Sequence, residues 1–223
     1  MVVANFLQYQ LMLSAHYYTN LLSTNMQPLY RAVKKKSLNP EEIFSTKPTR
    51  RLPTNLPYLI DNIWEYLRPA EAPSRRHSAY ANFSPELALK SATILDGKPE
   101  DYVVCEIEIL SGHLKMAQTK VKDASHHEDS KALRKVIFDA IDKNFSDLPV
   151  QRKMEYAPLF LPGLNAEEMR EVLSSSPDMQ ALDAVIRANS KFWSEVSYTP
   201  KPHEGELFFE MMEEGTYRLK CLS

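Results

Sequence analysis

Residues 201–223, "KPHEGELFFEMMEEGTYRLKCLS", read as two strands joined by a tight turn. "ELFFEMM" and "TYRLKCL" are apolar strand-like runs, and the "EEG" between them offers Gly215 where a hairpin needs a positive φ. At the head of the first run stand Glu204 and Glu206, one residue apart. In a segment of period 2 both point to one face, where like charges repel and neither helps a strand to form. A solvated strand end tolerates such a pair. Two carboxylates whose pKa values are pushed apart are also a chemical tool, one serving as an anion and the other as a base.

Working outward, the chain alternates helical and strand patterns in an α+β order. Phe6, Tyr9, Leu13, Tyr17 and Leu21 are spaced as one face of an amphipathic helix, which predicts a helix over residues 1–25 ahead of a core at 28–223. "QPLYRAV" reads as a short strand and "SLNPEEIFSTKPTRRLPTNLP" as a loop with one helical turn at residues 40–44. "YLIDNIWEYL" is a helix ended by "RPAEAP", and "HSAYANF" is strand-like. Ser84 followed by Pro85 and Glu86 is a helix start, with Ser84 as cap. "DYVVCEIEIL" is a strand, and residues 130–144, 166–174 and 179–196 are helical. We expect a single domain over residues 1–223.

Composition narrows the classes. With 223 residues, 43% hydrophobic and 25% charged, the chain can bury one substantial core. A formal charge of -2 argues against coating nucleic acid by charge alone, although Lys34, Lys35, Lys36, Arg50, Arg51, Arg75 and Arg76 cluster as local basic strips. There are two cysteines, and Cys105 inside "YVVCEIEIL" reads as a buried inert thiol, so no disulfide framework is expected. No stretch is long and apolar enough to span a membrane, and residues 1–22 lack a secretory signal pattern, so the expectation is a cytoplasmic protein with no membrane partner. With 5 glycines there is no Gly-rich phosphate cradle, so a nucleotide site must be built from side chains.

Other chemistry is thin. His126, His127, Glu128 and Asp129 in "SHHEDS" are adjacent rather than spaced at i and i+4, and read as a solvated helix-start loop rather than a metal site. No G-x-S-x-G elbow is present. A second E-x-E, Glu106 and Glu108, reads as the outward face of a strand.

Order along the chain singles out the pair at 204 and 206. "PLYRAV" with Arg31, then "RRHSAYANFSPELALKSA", then "HEGELFF" together resemble the arginine, serine and glutamate motifs of ADP-ribosyltransferases. The resemblance spans roughly residues 28 to 220, through short motifs. It implies a split small β-sheet core with several added helices, NAD as co-substrate, and transfer of ADP-ribose to a macromolecular acceptor. That acceptor is a protein side chain, arginine among the choices, or nucleic acid. The family's role as toxins or phage-type effectors implies an antitoxin or inhibitor as regulatory partner. The second motif departs from the family's usual serine run. Ser78 is the first choice for the serine, Asn82 is an alternative polar anchor, and Ser84 is accounted for as a cap.

The chemistry can be stated physically. Cleaving the nicotinamide–ribose bond builds positive charge on the ribose, which Glu206 would stabilise while holding a ribose hydroxyl. Arg31 offers a planar charged fork for the pyrophosphate. Glu204 would orient or deprotonate the acceptor, and Tyr80 or Phe83 would stack on nicotinamide. The alternative is a non-enzymatic helical interaction module in which both glutamates lie on the surface. A nuclease is disfavoured by its lack of a visible metal cluster.

Overall fold

The computed structural model describes residues 27–45, 53, 55–93, 97–145 and 147–222, excluding the side chains of 142–144. The helix expected over residues 1–25, and Arg50 and Arg51, lie outside the described residues. The fold is α+β, with two antiparallel sheets and a helical layer. One sheet has the order β1-β4-β7-β2, from β1 (Tyr30–Lys34), β2 (Ile43–Ser45), β4 (Tyr102–Ser111) and β7 (Thr216–Cys221). The other has the order β3-β6-β5, from β3 (Ala79–Ala81), β5 (Leu114–Gln118) and β6 (Leu207–Met211).

Alternation along β6 explains how the layers stack. Leu207, Phe209 and Met211 enter a core shared with Cys105, Ile107, Tyr217 and Leu219 of the four-stranded sheet. Phe208, between them, enters the helical core. That core is built from α1 (Tyr58–Tyr66), α3 (Glu128–Phe145), α5 (Ala166–Ser174), α6 (Pro177–Asn189) and α7 (Phe192–Glu195), with short α4 (Val150–Met154) beside them. The three-stranded sheet is therefore the partition between two cores. The remaining helix, α2 (Pro85–Thr93), lies against β1 and β4, and Ser84 Oγ accepts the Leu87 N–H as the cap reading requires.

Glu106 and Glu108 face away from the sheet core, opposite Lys220 and Arg218, and Glu108 pairs with Arg218. Several expectations are corrected. The turn at residues 40–41 leads into strand β2, which pairs with β7, in place of a helical turn through residue 44. The helix over 179–196 breaks after Asn189. There the buried carboxylate of Asp129, on α3, accepts the N–H groups of Lys191 and Phe192 at 2.8 and 2.7 Å and caps a new helix. In the hairpin the positive φ values fall on Glu213 (52°) and Glu214 (57°). Gly215 is needed for another reason: a Cβ there would come within 2.7 Å of the Met212 carbonyl oxygen.

Candidate active site

Glu206 immediately precedes β6 and is fixed through its backbone first. Its N–H donates to the Val121 carbonyl (2.8 Å) and its own carbonyl accepts the Thr119 N–H (3.0 Å). The chain enters this position past Gly205, where any Cβ would collide with the Thr119 carbonyl oxygen, and the Gly205 N–H is taken by His203 Nδ1 at 2.8 Å. This close approach requires glycine, and it aims the Glu206 side chain toward the helical core.

There Glu206 meets Arg75. Arg75 Nη2 donates to Glu206 Oε1 at 3.0 Å, and the Ala124 N–H donates to Oε2 at 2.6 Å; both side chains are 11% exposed. The guanidinium carbon of Arg75 lies 5.3 Å from the Trp64 ring centre and 5.8 Å from those of Phe192 and Phe208. An aromatic wall of this kind attracts a cation through ring quadrupoles. Burial alone would lower the guanidinium's pKa, but the Glu206 carboxylate, with lesser help from Tyr80 and Asp61, raises it above its usual value. The pair is thus a desolvated ion pair, and removing either member strands a buried charge. Tyr80, on β3 opposite Phe208, brings its hydroxyl to 3.4 Å from Arg75 Nη2.

Glu204 does not share this environment. It is exposed and held by Lys90 Nζ at 2.5 Å and by Lys122. Lys122, then Lys90, pull its carboxyl down to about 2. Each carboxylate therefore has its own cation, which removes the like-charge repulsion expected of two residues on one strand face. A carboxylate held this low is a weak base at neutral pH.

The other predicted residues separate. Arg31 lies opposite Cys105 in the β1–β4 register and hydrogen-bonds Tyr217, whose ring stacks on Phe44 and meets Phe209 edge-on. Burial raises the Tyr217 pKa, and Arg31 partly offsets that. Because Phe209 and Phe208 point to opposite sides of β6, Arg31 and Glu206 lie on opposite faces of the three-stranded sheet, and the single pocket that the transferase reading expects them to line together does not form. Ser78 is buried, its Oγ donating to the Ser74 carbonyl at 2.6 Å. Asn82 bridges Tyr30 through both backbone groups (2.7 and 2.8 Å), and Phe83 packs in the inter-sheet core. Of Ser78, Tyr80, Asn82 and Phe83, Tyr80 reaches the Glu206–Arg75 pair.

Residues 74–77 were not anticipated as a site. Arg75 and Arg76, read as surface charge, are both internal. Arg76 donates to Asp61 Oδ2 (2.7 Å), Asn62 Oδ1 (2.8 Å) and the Leu164 carbonyl (2.5 Å). Ser74 N–H donates to Glu210 Oε2 at 2.8 Å, and His77 Nδ1 lies 3.4 Å from Glu210 Oε1. The segment thus links β6, α1 and the loop before α5. One signal in the sequence pointed here: Asp61 and Asn62 interrupt an otherwise apolar helix face and, once buried, need partners. His127 and Asp129, expected in a solvated loop, are instead buried: His127 lies edge-on to Phe192, and its Nδ1 accepts the Asp129 N–H. Among the described residues no cluster of metal-binding side chains occurs, and no helix is long and apolar enough to cross a membrane. No family profile, curated protein or solved structure matches this chain.

Proposed function

We propose that the protein transfers ADP-ribose from NAD to a macromolecular acceptor, with Glu206 as the carboxylate that stabilises positive charge developing on the ribose. The observation that carries this reading is the position of Glu206. It heads the central strand of its sheet as a preorganised anion between Arg75 and the Ala124 N–H. The strands bearing the three motifs also adjoin: β1 bridges to Asn82 just after β3, and β3 pairs with β6. In this scheme the bond from ribose C1′ to the nicotinamide nitrogen breaks, nicotinamide leaves with the electron pair, and an acceptor atom bonds to C1′. Arg75 orients Glu206 through the ion pair. Lys90 and Lys122, exposed beside Glu204, offer the pyrophosphate cations that Arg31 cannot supply from the far face. With Arg75 and Arg76 internal, the basic strip for nucleic acid shrinks to Lys34–Lys36 among the described residues, which favours a protein acceptor. A toxin or effector role, held in check by an inhibitor protein, belongs to the same proposal.

A second reading is favoured by two observations: both oxygens of Glu206 already have partners within the fold, and Arg31 and Glu206 do not converge in one cleft, as a non-enzymatic module has no need for them to. In that reading the Glu206–Arg75 pair is a structural cross-link in a non-enzymatic interaction module. Incubation with labelled NAD and cell lysate, followed by mass spectrometry, separates the two. The transferase reading expects nicotinamide release and labelled protein, both falling by roughly a hundredfold or more in Glu206→Gln. Folded wild-type protein that leaves NAD intact, or a folded Glu206→Gln protein with full activity, overturns it.

A further inference from the structure

Cys105 and Cys221 stand directly opposite each other on β4 and β7. The Ile107 N–H donates to Leu29 and the Leu222 N–H to Val104, so alternate residues of β4 bond to β1 and to β7 in turn. Cys105 bonds toward β1, which makes Cys105–Cys221 a non-hydrogen-bonded pair across β4 and β7. Such pairs bring Cα atoms to about 4.5 Å, inside the span of about 4.4–6.8 Å that a disulfide bridges. The two Sγ atoms are 3.4 Å apart. They are the two cysteines of the chain, so intramolecular pairing has a single solution.

We infer that Cys105 and Cys221 form a reversible cross-strand disulfide, a thiol–disulfide site that responds to hydroperoxides. The two thiols differ in access: Cys105 is fully buried, whereas Cys221 is half-buried at the end of its strand. Burial, and then Cys221 itself, push the Cys105 thiol up to about 12, so Cys105 stays protonated and oxidation starts at Cys221. Cys221 Sγ takes one oxygen from the hydroperoxide, giving a sulfenic acid and releasing an alcohol, or water from hydrogen peroxide. Cys105 Sγ then attacks that sulfur, and its proton leaves with the hydroxyl group as water. Two thiols and one hydroperoxide become one disulfide, one alcohol and one water. The bond joins β4 to the end of β7 in the register the reduced sheet already holds.

Purified protein is treated with hydrogen peroxide, quenched, unfolded in guanidinium, alkylated with iodoacetamide and weighed intact. The expected result is two alkylations before oxidation, none after it, and two again after dithiothreitol, with the protein monomeric throughout. Loss of one thiol while the other still alkylates, or oxidised protein recovered as cross-linked dimers, overturns the inference. Cys221→Ser provides the second arm. Cys105 in that variant should remain alkylatable after the same exposure, and its loss at the wild-type rate would show that the pairing plays no part.

Discussion

Glu204 carries a charge that two lysines compete to hold, and its titration follows from that contact. Its folded pKa of about 2 lies below the ordinary 4.5, so the stability that its ion pairs contribute is fully present above pH 4.5 and is lost as pH falls through about 2. A carbon-detected NMR titration should place Glu204 near pH 2, and Lys122→Ala should return it toward the ordinary range; an unshifted Glu204 in the wild type would show that the lysines do not hold it in solution. Glu206 drew notice in the sequence because a carboxylate heading an apolar run lacks a local reason. Its cation did not, because Arg75 lies 131 positions away and looks like half of a basic doublet. Hydrophobic patterning locates apolar side chains. The burial of a guanidinium is decided by which carboxylate the fold delivers to it.

At the scale of elements, the turn between β6 and β7 carries backbone strain. Glu213 and Glu214 both adopt the left-handed conformation, which glycine and asparagine tolerate far better than glutamate. Glu213→Asn combined with Glu214→Gly should therefore raise stability by about 1 kcal/mol or more, read as a higher urea midpoint with an unchanged slope. A lower midpoint would mean that these glutamates are held by contacts worth more than the strain. The strands β4, β6 and β7 were legible because aromatic and β-branched residues alternate or run together in them. β5, "LKMAQ", carries no such signature, and β2, "IFS", carries it over too few residues to stand out from a loop; both exist because β6 and β7 present edges for them to pair with.

For the molecule as a whole, β6 contributes Phe208 to one core and Phe209 to the other, so neither core can loosen without disturbing the strand they share. Both tryptophans, Trp64 and Trp193, sit in the helical core, whereas much of the strand signal comes from the four-stranded sheet beyond the partition. Tryptophan fluorescence and far-ultraviolet circular dichroism should report one coincident urea transition. Phe208→Ala and Phe209→Ala should each cost about 3–5 kcal/mol and move both signals together. Separated transitions would show two independent folding units. The sequence allowed an α+β class to be read, but not this partition, because alternation in "LFFEM" appears only once the two faces are seen to be apolar for different partners.

The strand order has a consequence for how the protein is made. β6 lies between β3 and β5, and β7 between β4 and β2, yet both are the last strands in chain order. While a ribosome is still translating residues 97–200, β3 and β5 have no strand to join them and β2 has no partner at all. The nascent chain waits with open, apolar edges for as long as the remaining codons take, roughly seconds to tens of seconds at about 5–20 residues per second. Both sheets close only once residue 222 is free. An early stop codon upstream of 207 would thus release a chain with both sheets incomplete and at most the β1–β4 pair formed, a natural client for chaperones and proteases.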